Sequence, residues 1–534
     1  MKKKLLSLLF LIVPILTFAQ EKGLDQRIDE GFKPISDFFS NVIFFLVWKD
    51  PDIPFVLILL VGSAAFFTLY FSFPNVRHFF TAINVVRGKY DEVDHPEVET
   101  AYGDSTPGGD SIETIRDESK DGEVTHFQAL ATAVSGTVGN GNIAGVALAI
   151  ALGGPGATFW MIVRGFLGMS TKFVECTLGV QYRDVDENGV VYGGPMYYIS
   201  KGLKERGFEV FGKIAAVIFA IFCIGGSFGG GNAAQSNQAT IVLKELMGLE
   251  STMAGTIIGI IIAVIVGIII IGGIKRIASV TEKIVPFMAL LYLFACLYII
   301  GSNYGLVDDA LGLIFREAFN PRAIGVGGII GVLLVGFKRA AFSNEAGAGS
   351  ASIAHSAVKT KYSASEGLVA LLEPFIDTVV ICTMTALVII IFNFGGYFEY
   401  GGDGTGAVLI DGMAYEGAGI TAKAFAQYIP YSNVFLTVAV FLFAISTMIS
   451  WSYYGLQSWK FLFGRGKIAD LVYKLLFLIF IVIGAAASMK SIWDFSDAMI
   501  FAMVFPNMVG LYFLFPVVKK QLNRYMTAIK ESKE

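Results

Sequence analysis

The sequence predicts an all-α polytopic membrane protein of about eleven transmembrane helices, at roughly 20 apolar residues per span. Two observations carry this. Of 534 residues, 54% are hydrophobic and only 16% are charged, against about 25% charged in a soluble chain, and the mean hydropathy is +0.64. The apolar residues also gather into runs separated by charged loops. The same composition excludes a disordered chain, a basic nucleic-acid-binding chain and a disulfide-rich secreted domain, because the net charge is −4 and there are only four Cys.

The chain opens with MKKK, an apolar run LLSLLFLIVPILTFA that is short of a span, and Thr17 and Ala19 before Gln20. That is the pattern of a cleaved signal peptide over 1–19, which would leave the mature N-terminus outside. An external amphipathic segment fills 20–52, with FKPISDFFSNVIFFLVW at 32–48. One helix over 53–73 then leads into a cytoplasmic segment, 74–126, whose stretch 89–125 is acidic, poor in apolar residues and read as an insertion without a site. Further spans are predicted at 127–151, 156–181, 212–243, 253–273 and 284–301. After an external loop, 302–322, come spans at 323–342, 366–392, 432–458, 469–487 and 492–516, then a cytoplasmic tail, 517–534.

Charge tests this layout independently. An odd number of crossings that starts outside ends inside, and most Lys and Arg fall in loops so placed inside. Lys275, Arg276 and Lys283 lie in one such loop, Arg465 and Lys467 in another, and Lys519, Lys520 and Arg524 follow the last span, whereas the external 393–431 segment has Lys423 as its sole cation. The expected setting is a bacterial cytoplasmic membrane, with the mature N-terminus outside and the C-terminus in the cytoplasm.

The four His are scattered and Cys176, Cys223, Cys296 and Cys382 sit in apolar stretches, so metal-ligand spacing is missing and the thiols read as small buried hydrophobes. Two spans are interrupted instead. In ALATAVSGTVGNGNIAGVALAIALGG, Gly136, Gly139, Gly141 and Gly145 accompany Asn140 and Asn142; five spans on, IGVGGIIGVLLVG continues into FKRAAFSNEAGAGSA with Asn344 and Glu345. Each Gly costs about 1 kcal/mol relative to Ala inside a helix. Freed backbone groups at membrane depth are tolerated only in protein or beside a wet cavity. Packing through small residues explains either Gly-rich run alone. The matched placement in two halves of opposite topology points to a secondary transporter's site, with half-helix N-termini toward an anionic group and open carbonyls toward a cation.

Other polar groups lie within spans. Ser446, Thr447 and Ser450 with Trp451, Tyr453 and Tyr454 put hydroxyls and aromatic surface on one helix; of Gln235, Asn237 and Gln238, at least one must face a cavity or a partner helix. Glu373 and Asp377 share one helix face, and they either carry a proton, help to coordinate a cation, or pair with cations of the bundle. Lys172 and Glu175, three residues apart, read as a structural ion pair; Arg164 is left unassigned.

The blocks GNGNIAGVALAIALGGPGATFWMIVRGFLGMSTKFVECTLGVQYR, GGPMYYISKGL, FSNEAGAGSASIAHSAVKT and FAISTMISWSYYG closely resemble, in this order, the alanine or glycine:cation symporter family, over about residues 53–516. The resemblance implies a leucine-transporter-type fold of two inverted five-helix repeats, 127–301 and 323–516, preceded by the extra helix at 53–73. It implies import of a small neutral amino acid, alanine or glycine, driven by sodium as the coupling ion, with no covalent cofactor, no nucleic acid and no obligate protein partner. Proton coupling, or another substrate such as glutamine, is the alternative.

The family's roles fall on these positions. Backbone amides over Thr137, Gly139, Asn140 and Gly141 would receive the substrate carboxylate; Gln235, Phe337 and Trp451 would line the pocket, with Trp451 limiting side-chain size. Sodium would sit near Ser135, Val138, Ser446 and Thr447, with Asn142 in the same broken region. Many members have GTGN where this chain has Gly139-Asn140-Gly141-Asn142, an amide in place of a hydroxyl. Two rival classes are weaker. A cation channel calls for repeated filter segments in an oligomer, and a membrane enzyme needs a nucleophile, base and orienter that the sequence does not offer.

Overall fold

The computed structural model describes residues 23–49, 52–94, 122–320, 328–401 and 404–532. The signal-peptide segment 1–19, residues 95–121 of the acidic stretch and the start of the span at 323 lie outside the described residues. Helix, whole or broken, occupies each predicted span: Phe55–Tyr70, His126–Thr137 with Gly141–Gly153, Gly156–Gln181, Glu209–Met247, Ala254–Ile270, Gly273–Ser302, Gly328–Asn344 with Ala351–His355, Ser363–Asn393, Ser432–Phe463, Lys467–Ala486 and Met489–Glu531. Six of these are individually long and apolar enough to cross a membrane, and the bent pair His126–Thr137 and Gly141–Gly153 makes a seventh. Gly156–Gln181 is more polar because it carries Arg164, Lys172 and Glu175, and all three are buried inside the bundle.

Packing explains which faces are apolar. On Ala254–Ile270 the exposed residues Ile257, Ile260, Ile261, Val264 and Ile268 recur at helical spacing, while Ile258, Ile262 and Val266 are buried. A helix apolar all round belongs between protein and lipid. Its start is fixed by the amphipathic helix Leu24–Ile43, whose Asp25 carboxylate accepts hydrogen bonds from the N–H groups of Gly255 and Thr256, each at 3.1 Å. Those N–H groups have no partner within their own helix. Leu24–Ile43 also packs along Met489–Glu531, where Ser36 donates to the Ser491 carbonyl at 2.7 Å.

The first broken helix begins with a capping box. Thr125 Oγ1 accepts from Gln128 N at 3.2 Å, and Gln128 Oε1 accepts from Thr125 N at 3.1 Å. The helix ends at Thr137, and the chain resumes as Gly141–Gly153 after a bend of 51°. The second break spans Glu345 to Ser350, with positive φ at Glu345 (+54°), Gly347 (+98°) and Gly349 (+86°). Glu345 is the costly position, since a non-Gly residue is seldom held there without support from its surroundings.

Backbone contacts join the ends of the broken helices on one face of the bundle: Val124 pairs with Val358 as a short parallel bridge, in which the Ala357 carbonyl accepts from Val124 N at 3.2 Å and Lys359 N donates to the Val124 carbonyl at 2.9 Å. On the other face the short helix Ala418–Ala426 covers the first break, where Thr421 Oγ1 donates to the Ile143 carbonyl at 3.1 Å.

Candidate functional site

The two breaks meet at the centre of the bundle, and three widened, π-type turns surround them: Gly141–Gly145, Gly229–Ala233 and Phe375–Cys382. Such turns free backbone groups from the regular ladder and recur at functional sites. Each delivers one predicted polar side chain: Asn142 from the first, Gln235 just after the second, Asp377 from the third.

At the first break the chain's own amides are occupied by side-chain carbonyls. Gly139 N donates to Asn142 Oδ1 at 2.9 Å, and Asn140 N donates to Gln235 Oε1, also at 2.9 Å. Asn140 Nδ2 bonds the Gln235 carbonyl at 3.2 Å, and Gln235 Nε2 bonds that of Gly230 at 2.8 Å. Of the four amides in Glu209–Met247, Gln235 reaches the break: Asn232 bonds the Phe477 carbonyl, Asn237 bonds the carbonyls of Gly484 and Ala487, and Gln238 accepts from Ala418 N. Gly139 is required by space. A Cβ there would run into Thr447 Oγ1 and come within 3.0 Å of Gln235 Oε1.

The helix Ser432–Phe463 closes this side. Ser135 Oγ donates to the Ser446 carbonyl at 2.8 Å, and Ser446 Oγ turns back to the Phe443 carbonyl at 2.9 Å. Thr137 Oγ1 bonds the Ala133 carbonyl within its own helix at 3.2 Å. Val138 is buried at the end of the half-helix, its N–H spent on the Val134 carbonyl at 2.7 Å. Among the described residues, Thr447 Oγ1, Ser450 Oγ and Asn140 Oδ1 are buried oxygens without a hydrogen-bond partner. Unpaired buried oxygens cost about 1–3 kcal/mol each, and a bound cation would satisfy them. Trp451 is fully buried; a Cβ on Gly231 would overlap its indole, and one on Gly226 would come within 3.3 Å. Its Nε1 donates to Glu345 Oε1 at 3.0 Å, so the indole is tied to the second break.

Asp377 links both breaks. Its carboxylate accepts from Asn142 Nδ2 at 2.6 Å, from Ser343 Oγ at 2.9 Å and from Thr378 Oγ1 at 2.6 Å. Asn142 Nδ2 also bonds the Asp377 carbonyl at 3.1 Å. Every one of these donors is a neutral amide or hydroxyl. Asn344 braces the group, donating to Thr378 Oγ1 at 2.9 Å and accepting from Ala346 N at 3.0 Å.

Glu373, one helical turn earlier, is placed differently: it accepts from Lys172 Nζ at 2.9 Å, both side chains being fully buried. This corrects the Lys172–Glu175 pair expected from spacing. Glu175 is needed elsewhere, because it accepts from Gly347 N at 2.9 Å and Asn507 Nδ2 at 2.7 Å and so satisfies backbone freed by the second break. Arg164 donates to the Ala346 carbonyl and stitches the same loop.

Phe337 does not join this group. Its ring meets Trp160 edge-on at 5.8 Å, whereas Phe342, stacked on Trp493, stands beside Gly141 and Gly230. Phe342 and Ser343 both lie in the FSNEAG block, but only their positions in space distinguish them from their neighbours.

A helical bundle whose buried polar centre lies between two broken membrane helices has the architecture of a multi-pass membrane transporter. More narrowly, the chain belongs to the sodium:alanine symporter family, whose model matches residues 109–534. It is 37% identical to the sodium/alanine symporter AgcS of Methanococcus maripaludis over 92% of this chain and 97% of that one. It is 34% identical to the probable sodium/glutamine symporter GlnT of Bacillus subtilis over 77% of this chain and 80% of the relative. A similar solved structure is MhsT in complex with L-phenylalanine, at 13% identity and a TM-score of 0.49, covering 76% of this chain and 99% of that one.

Proposed function

We propose that the chain imports a small neutral amino acid, alanine or glycine, together with sodium, by alternating access between two inverted repeats, 127–301 and 323–516. The mature N-terminus faces outward and the C-terminus lies in the cytoplasm, as the Lys and Arg distribution favours. One observation carries the reading: Asp377 is a buried carboxylate whose neutral donors come from both breaks, so an added monovalent cation would pull the two broken helices toward a single centre. Hydroxyl, amide and carboxylate oxygens suit such a hard ion.

The substrate end follows from the same chemistry. Asn142 Oδ1 and Gln235 Oε1 stand on the amides of Gly139 and Asn140, where a substrate carboxylate would replace a neutral acceptor with a charged one. Charge-assisted bonds of this kind are roughly twice as strong as neutral ones. Trp451, held by Glu345, would limit the substrate to a small side chain. A further cation near Ser135 and Thr447 would give Thr447 Oγ1 the partner it lacks, with Ser135 Oγ, already donating to the Ser446 carbonyl, offering a lone pair.

Titration calorimetry of the purified full chain tests this. Alanine or glycine should bind in sodium buffer and not in potassium buffer at the same ionic strength. Binding indifferent to the cation, or binding of glutamine with neither alanine nor glycine, would overturn the assignment.

A further inference from the structure

Away from the breaks, a chain of buried ionisable groups joins the inner ends of the two broken helices. His126 starts the first of them and His355 ends the second. Both bond one carboxylate: His126 Nδ1 bonds Glu366 Oε2, and His355 Nδ1 meets Glu366 Oε1 at 2.5 Å. The other nitrogen of each ring faces a second carboxylate at 3.6 Å, Asp94 for His126 and Glu373 for His355. Lys172 closes the series on Glu373. None of these side chains is more than 6% exposed.

We infer that Asp94, His126, Glu366, His355, Glu373 and Lys172 form a proton-binding latch, and that the site opens to the cytoplasm only when His126 leaves Glu366. The inference rests on the alternating-access reading above. Its physical basis is charge balance. Three carboxylates face one ammonium and two imidazoles, so the series is neutral only with both rings protonated, and each lost proton leaves a buried negative charge without its partner. Burying an unpaired charge is costly, and alternating carboxylate and imidazole groups are how intramembrane proton relays are built.

Among the remaining described neighbours, Glu345 adds a carboxylate with no offsetting cation at the Lys172 end. Asp94 accepts from Thr360 Oγ1 at 3.0 Å and Tyr525 OH at 3.1 Å, and the Lys361 N–H bonds its carbonyl. Beyond Lys172, Glu175, Glu345 and Cys176 act on it through space, and Arg164 offsets Glu175. Val124 and Val358 bring the same two ends together through the backbone, so the latch is the polar half of one junction. Glu366 is a positioning residue, holding two half-helices without touching substrate.

Hydrogen–deuterium exchange of the purified full chain, from about pH 7 to about pH 11 with the intrinsic pH dependence divided out, tests the latch above the ordinary imidazole range, because the two carboxylates at each ring hold its proton. Protection of His126–Thr137 and Ala351–His355 should fall at least roughly tenfold as the pH rises, or about 1.4 kcal/mol. In His126→Gln and in His355→Gln it should be low and independent of pH. Flat protection in the unaltered protein, or the same pH dependence in either folded variant, overturns the proposal. No substrate enters this measurement, so its failure is distinct from a failure of the transport reading.

Discussion

Replacing Asp377 by Asn keeps the side-chain volume and removes one negative charge; one carboxylate oxygen becomes an NH2, so the Ser343 and Thr378 hydroxyls must turn to accept from it while Asn142 keeps its acceptor. A monovalent cation about 4 Å from that charge gains about 4 kcal/mol at an effective dielectric constant near 20. Desolvation of the ion takes back part of this, leaving a net loss on substitution of about 1.4 to 2.8 kcal/mol, or roughly tenfold to a hundredfold in affinity. The assay is alanine uptake by Asp377→Asn in proteoliposomes over a range of external sodium. Half-saturating sodium should rise by that factor, and alanine affinity at fixed sodium should fall with it, because coupling between two ligands is reciprocal. Half-saturating sodium within about twofold of the unaltered protein, with uptake preserved, would refute the placement of a cation at Asp377.

Three further outcomes are expected. Thr447→Ala removes a buried oxygen that has no hydrogen-bond partner, together with one methyl group, so thermal stability should not fall by more than about 1 kcal/mol while sodium affinity falls severalfold; unchanged sodium dependence would move the ion away from Thr447. Gly139→Ala places a methyl group against Thr447 Oγ1 and Gln235 Oε1 and should cut uptake by about tenfold or more, as displacements of about 1 Å at a site do; normal uptake would show that the break is not the binding surface. Lys172→Met strands Glu373 in the bundle and should cost about 3–5 kcal/mol of stability. Much of that should return in Lys172→Met with Glu373→Gln, and equal losses in the single and double variants by thermal unfolding in detergent would contradict the pairing.

The helices and both breaks were legible in the sequence because their signals are local: long apolar runs, and Gly with Asn where a lipid-exposed helix tolerates neither. That the amides of Gln235, Asn237 and Gln238 need partners was legible for a similar reason, but which of them reaches the break was not. Partner choice was not. Spacing along Gly156–Gln181 favoured Lys172 with Glu175, but the freed N–H of Gly347 claims Glu175 and leaves Lys172 to Glu373, a residue of another helix. Phe337 and Phe342 differ only in which way their helix is turned, so the sequence could not say that Phe342 approaches Gly141 while Phe337 packs on Trp160. His126 and His355 looked scattered because they are far apart in the chain, and only the fold places Glu366 between them.

The measurement closest to the central claim is uptake of radiolabelled alanine and glycine into proteoliposomes under an inward sodium gradient, set against an equal potassium gradient at fixed pH. Accumulation above equilibrium with sodium and none with potassium is the expected result. Equal uptake under both gradients would contradict sodium coupling.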